Sequence, residues 1–131
     1  MRPAREVEIV NGDRILVVDD DESIRLIVRL CLVEEGYDVE EAANGEVAFE
    51  VLERFDPELI LLDLRMPVMD GWEFARRYHT RAGPHAPIVA FVAALNATQE
   101  CADIATAAIL SKPFDLDDLL SAVRAQLPLT T

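Results

Sequence analysis

Two uninterrupted aliphatic runs that end in carboxylates constrain this chain most. Ile15-Leu16-Val17-Val18 runs into Asp19-Asp20-Asp21, and Leu59-Ile60-Leu61-Leu62 meets Asp63. Apolar runs of this length read as strands buried on both faces, as in a parallel sheet covered by helices on each side. Like charges a few ångströms apart repel, so acids gathered at the ends of buried strands require a counter-charge. A divalent cation with oxygen ligands, held beyond the carboxyl ends of central strands, meets that need.

The rest of the chain alternates strands and helices around these runs. A polar leader, 1–13, ends in the turn signal Asn11-Gly12-Asp13, and the first strand is expected at 14–18. Ser23 is the expected cap of a helix carrying Ile24, Ile27, Val28 and Cys31 inward, closed by Gly36. Residues 37–42 alternate apolar and acidic, which suits an edge strand with one wet face. Asn44 caps a second helix with Val47, Ala48, Val51, Leu52 and Phe55 inward, ended by Asp56-Pro57. After the second run, Met66-Pro67-Val68-Met69-Asp70-Gly71 forms a tight-turn loop into a third helix over 72–80.

Pro84 and Pro87 bracket a linker to a third buried strand, 88–92. A weak helical stretch, 98–105, precedes a short strand, 109–111, that ends in Lys112-Pro113-Phe114. A cis Lys112-Pro113 bond is accessible, because the cis form before proline costs only about 0.5–1 kcal/mol. Asp115 caps the last helix, whose Leu116, Leu119, Leu120, Val123 and Leu127 make an apolar stripe. Five β-α repeats with apolar central strands predict an α/β, doubly wound (βα)5 fold with a five-stranded parallel sheet. Only residues 93–108 separate the last two strands, so the fourth helix is expected to be short or poorly ordered. Residues 128–131 form a short tail.

Composition narrows the function classes. The 131 residues suffice for one domain with one core, and 51% of them are hydrophobic, which argues against disorder. No apolar run reaches the roughly 20 residues of a membrane span, and Met1 to Glu6 lacks an apolar signal core, so a cytoplasmic protein is expected. A net charge of −13 weighs against direct nucleic-acid binding. Cys31 and Cys101 have no metal spacing and read as small apolar residues on helices. His79, His85, Arg76 and Arg77 read as surface residues, and Trp72 as a partly exposed aromatic at a helix start.

Asp19, Asp20, Asp63 and Lys112 all fall at strand carboxyl ends, where ligand sites of such sheets lie. Mg²⁺ takes a few carboxylates plus water and phosphate oxygens. A carboxylate beside it is a candidate nucleophile toward phosphorus, giving an acyl phosphate whose charge the metal and a lysine offset.

These residues resemble the receiver domain of two-component response regulators. The match lies in Val17-Val18-Asp19-Asp20, Leu61-Leu62-Asp63, the loop from Met66 to Gly71, and Lys112-Pro113-Phe114, and spans about 14–127. The resemblance implies flavodoxin-like strand order 2-1-3-4-5. It also implies a non-enzymatic signalling role, with Asp63 taking phosphoryl from a sensor histidine kinase or phosphotransfer protein and passing the signal to a downstream protein. Mg²⁺ (or Mn²⁺) would be held directly by Asp20 and Asp63, by Asp19 mainly through water, and by the backbone carbonyl of Arg65. Lys112 would pair with the phosphoryl group, and Asp21 is left as a helix-start acid.

Two positions depart from the family pattern. The hydroxyl residue usual at the end of the fourth strand is here Val92, or Ala94 if the register slips by two. The aromatic usual three residues before the lysine is Ile109. The pair that reports phosphorylation is therefore aliphatic. One alternative is a pseudo-receiver that docks proteins without phosphorylation. A remoter one is a haloacid-dehalogenase-like phosphatase using Asp19 as nucleophile and Asp21 as acid.

Overall fold

The strand β1, Arg14–Val18, lies inside a parallel sheet with a neighbour on each side, because neither of its faces tolerates water: Ile15, Leu16, Val17 and Val18 are all fully buried. The structure is a computed structural model that describes residues 13–93 and 97–127. The expected leader up to residue 12, the tail 128–131 and Ala94 lie outside the described residues. After β1 come α1 (Glu22–Glu34), β2 (Asp38–Ala42), α2 (Gly45–Leu52), β3 (Leu59–Asp63) and α3 (Gly71–Thr80). The remainder is β4 (Ile88–Ala93), α4 (Ala97–Glu100), β5 (Ala108–Lys112) and α5 (Leu116–Gln126). The sheet order is β2-β1-β3-β4-β5 with every neighbouring pair parallel, as expected. The fourth helix is a single turn of four residues.

Side chains alternate along each strand and divide the core into two. Leu16, Val18, Ile60, Leu62, Ile88 and Ala90 face α2 and α3, meeting Ala48, Val51, Phe74 and Tyr78. Ile15, Val17, Leu59, Leu61, Val89 and Phe91 face α1 and α5, meeting Val28, Leu32, Leu119 and Val123. The edge strand β2 buries Val39 and Ala42, and turns Glu40 and Glu41 toward Arg54, Arg25 and Arg29.

Three helix details differ from the sequence expectations. Asp21, not Ser23, caps α1: its carboxylate accepts from the N–H groups of Ser23 at 2.9 Å and Ile24 at 3.2 Å. A carboxylate at the positive end of the helix dipole satisfies two orphan donors and starts the helix two residues earlier. The face α1 buries is Val28 and Leu32, with Ile24 and Cys31 partly covered, while Ile27 is 52% exposed alongside Leu26 and Leu30. This helix is apolar around most of its circumference, so periodicity alone does not choose its inner face. The α5 stripe narrows to Leu119, Val123 and Leu127, with Leu120 partly buried and Leu116 exposed. Asn44, Asp70 and Asp115 cap the other long helices. Among the described residues no helix is long and apolar enough to cross a membrane.

Candidate functional site

The carboxyl ends of β1, β3 and β5 deliver Asp19, Asp63 and Lys112 to one spot, because the three strands run parallel with β1 and β3 side by side. One carboxylate oxygen from each of Asp19, Asp20 and Asp63 falls within a cluster no wider than 4.8 Å. Asp19 is fully buried and Asp63 nearly so, while Asp20 is exposed. The Lys112 ammonium lies 3.0 Å from Asp19 Oδ2 and 3.4 Å from Asp63 Oδ1. Asp19 Oδ1 accepts the Asp21 N–H at 2.9 Å, and the Asp19 backbone carbonyl accepts from Arg25 Nη1 at 2.7 Å. Both carboxylate oxygens of Asp19 are thus engaged by the protein. Asp20 keeps its side chain toward solvent, and Asp63 faces the opening.

The loop after β3 is shaped by a close backbone approach. A Cβ on Gly71 would sit 2.5 Å from the Asp63 carbonyl oxygen and 2.7 Å from the Leu64 Cα. Without one, the Gly71 N–H reaches the Leu64 carbonyl at 2.9 Å and closes the 64–71 loop over the end of β3. Val68 sits at its tip with φ 71°, 74% exposed, in the left-handed region. The peptide between Lys112 and Pro113 is cis, as the sequence allowed.

Electrostatics set the site's poise. Burial pushes the Asp63 carboxyl from 3.8 up to about 7, and the Asp19 charge adds to the rise. The charge and hydrogen bond of Lys112 and the Arg65 N–H pull it back only in part. For Lys112, burial disfavours the ammonium, but the bonds and charges of Asp19 and Asp63 outweigh it and raise the pKa. The donor set is therefore one cation short: three acids face one lysine. Oxygen donors at this spacing, one exposed and one fully buried, suit a hard divalent ion such as Mg²⁺.

A cleft of about 750 Å³ opens beside the acids. Its polar side holds Asp20, Asp63, Arg65, Glu100 and Lys112, and its apolar side holds Ile24, Ile27, Phe91, Phe114 and Leu116. Val92 lines it as well, 2% exposed and paired in register with Ser111. Ile109 stands on β5 opposite Ala90, 37% exposed. Neither side chain carries a hydroxyl or a ring.

Trp72 is a partly exposed aromatic at the start of α3, as expected, but sequence reasoning missed Glu100, Arg25 and the bond that Trp72 makes. Glu100 ends α4 and lines the cleft. Trp72 donates Nε1–H to the Glu100 carbonyl at 2.6 Å, and the Arg65 guanidinium lies over the indole at 5.2 Å. None of these long-range pairings leaves a periodic or spacing signal. The phosphatase reading is not favoured: Asp19 is buried with both oxygens engaged, and Asp21 is occupied as a helix cap. His85 is exposed and His79 half-buried, the two rings meeting edge-on and both inclined against Tyr78, and Arg76 and Arg77 are exposed. Cys101 is buried and Cys31 partly so, and burial raises both thiols.

A parallel five-stranded sheet with an acid cluster and a lysine at its carboxyl end defines a receiver domain. The family model for the response regulator receiver domain matches residues 15–124, and the chain belongs to that family of two-component signalling domains. Sporulation initiation phosphotransferase F of Bacillus subtilis is 34% identical over 119 residues, which are 90% of this chain and 96% of that protein. Response regulator MprA of Mycobacterium leprae is 38% identical over 116 residues, which are 87% of this chain and 50% of that regulator, so the chain spans about half its length. Among solved structures, the chemotaxis response regulator CheY4 of Vibrio cholerae superposes with a TM-score of 0.81 at 31% identity, covering 88% of this chain and 99% of that one. The receiver domain of sensor histidine kinase PA1611 from Pseudomonas aeruginosa, solved with magnesium in its active site cleft, gives 0.80 at 31% identity, covering 88% and 98%.

Proposed function

We propose that this receiver accepts phosphoryl on Asp63 and relays it as a signal. The observation that carries the reading is the Lys112 ammonium set between Asp19 and Asp63, with Asp63 facing the cleft mouth. An Asp63 carboxylate oxygen attacks phosphorus of a phosphohistidine. The N–P bond breaks, its electron pair returns to the imidazole, and the product is an acyl phosphate on Asp63. Lys112 offsets charge on the phosphoryl oxygens. Asp20, Asp63 and the Arg65 carbonyl would hold Mg²⁺ or Mn²⁺, with Asp19 acting mainly through water, which suits the two bonds its carboxylate already accepts. The ion would supply electrostatic stabilisation of the transferring group. The phosphoryl source is a sensor histidine kinase or phosphotransfer protein in the cytoplasm, and the recipient of the signal is a downstream protein. The charge of −13 favours a protein target over nucleic acid.

Beryllofluoride with Mg²⁺ tests this by amide NMR. The wild type should show saturable shifts around 63, 92 and 112, and Asp63→Asn should show none. A wild type without such shifts would leave a pseudo-receiver, a docking module that works without phosphorylation.

A further inference from the structure

Glu100 occupies an unfavourable position. Its side chain is 12% exposed, and Oε2 is buried without a hydrogen bond. Its charge partner is Arg65 Nη2, 3.5 Å away and out of hydrogen-bond alignment. Burial of a carboxylate oxygen without a hydrogen bond is disfavoured, so this arrangement is poised to exchange partners.

Arg65 is placed for such an exchange. It lies two residues after Asp63, and its N–H bonds the Asp63 carboxylate. Its side chain is 71% exposed and rests over the Trp72 ring. Among the described residues lining the cleft, Lys112 and Arg65 are the cations, and Lys112 already spans Asp19 and Asp63. A phosphoryl group on Asp63 would find no hydroxyl at Val92. It would carry about −1.5 to −2 charge, and a guanidinium can meet two of its oxygens at once. A single carboxylate at 3.5 Å is a weaker competitor.

We propose, on the reading that Asp63 is the phospho-acceptor, that Arg65 partners the phosphoryl oxygens in place of the absent strand-end hydroxyl, and that Glu100 is the positioning residue holding it aside beforehand. When Arg65 leaves, Glu100 becomes a buried carboxylate without its cation, in the same cleft as a phosphoryl dianion. Repulsion drives the end of α4 outward. The Trp72 Nε1–H bond to the Glu100 carbonyl, which ties the start of α3 to α4, is then broken. A one-turn helix anchored by Cys101, Ile104 and this bond is easily displaced. Charge exchange thereby does the work of the hydroxyl and aromatic pair that Val92 and Ile109 cannot do.

Trp72 is the only tryptophan in the sequence, so tryptophan emission reports this contact together with the Arg65 guanidinium over the same ring. The test uses the full chain with Mg²⁺ and phosphoramidate, and follows intact mass, Trp72 emission and amide exchange over 97–104. In the wild type, phosphoryl uptake should shift the emission and speed exchange over 97–104 at least tenfold. Glu100→Gln should start with emission most of the way to the phosphorylated wild-type value and should take up phosphoryl several-fold faster. Arg65→Gln should gain phosphoryl yet show less than half the wild-type emission change. This second variant keeps the test decisive if Glu100→Gln folds poorly. A wild type that gains phosphoryl with emission and exchange unmoved overturns the proposal, as does a full response in Arg65→Gln. A wild type that gains no phosphoryl defeats the phospho-acceptor reading itself, and this proposal with it.

Discussion

Replacing Asp63 by Asn should make the metal-free protein more stable, although it removes the residue on which the proposed chemistry turns. Burial and the Asp19 charge lift the Asp63 carboxyl from 3.8 to about 7. Because the folded value lies above the unfolded one, the native state holds a proton between about pH 4 and pH 7 that the unfolded chain has lost, and stability falls as pH climbs through that window. At about 1.4 kcal/mol per pH unit, the gap from 3.8 to about 7 corresponds to an upper bound of about 4 kcal/mol. The value of about 7 already contains the attraction of Lys112, and imperfect hydrogen bonding by the Asn amide reduces the expected gain to about 1–3 kcal/mol at pH 8. Lys112 keeps its 3.0 Å bond to Asp19 in the variant.

The assay is urea unfolding in EDTA from pH 5 to pH 8, with the midpoint and slope fitted together. The advantage of Asn should be small at pH 5, grow to about pH 7 and level off above it. Millimolar Mg²⁺ should stabilise the wild type and shrink the difference, because a bound cation favours the ionised cluster. An Asn variant that is less stable than the wild type at pH 8 without metal would refute the argument that uncompensated acids strain this site.

Lys112→Met strips the counter-charge from two buried acids. Breaking a buried ion pair costs about 3–5 kcal/mol, and since Lys112 is 26% exposed the loss should be nearer about 2 kcal/mol, read as a lower denaturant midpoint at pH 8. Gly71→Ala drives a Cβ into the Asp63 carbonyl and Leu64 Cα, and should cost about 3 kcal/mol as well as weaken beryllofluoride binding measured by NMR titration. Val68→Asn relieves a β-branched residue at φ 71° and should gain about 1 kcal/mol, visible as a melting midpoint higher by about 4 °C. Trp72→Phe removes the Nε1–H bond to Glu100 and should speed amide exchange over 97–104 while leaving β1 and β3 protected.

How far the sequence determined this picture differs from element to element. The strand β1 could be bounded to the residue and β3 to within one, because unbroken aliphatic runs end abruptly at charges. Their acids then located the site, since parallel strands bring their carboxyl ends together whatever the loops do. The face of α1 was not legible: Ile24, Leu26, Ile27, Val28, Leu30, Cys31 and Leu32 surround the helix, and only the sheet selects Val28 and Leu32. The α1 cap was misread by two residues because Asp21, Ser23 and the acids before it are all plausible caps in sequence. The Arg65–Trp72–Glu100 cluster was invisible, since residues 65, 72 and 100 meet only once the folded chain returns the end of α4 to the loop after β3 and the start of α3. The absence of a hydroxyl at Val92, by contrast, was readable at once, and Val92 lines the cleft in the structure.

The central claim is that Asp63 carries phosphoryl, and the most direct measurement is chemical. The protein is incubated with phosphoramidate and Mg²⁺, reduced with borohydride, digested and sequenced by mass spectrometry. An acyl phosphate on Asp63 is reduced to homoserine at that position, in an amount that follows phosphoryl gain in the intact mass and disappears with EDTA. Phosphoryl gain with homoserine at Asp19 or Asp20 instead, or no gain under saturating donor and metal, would contradict it.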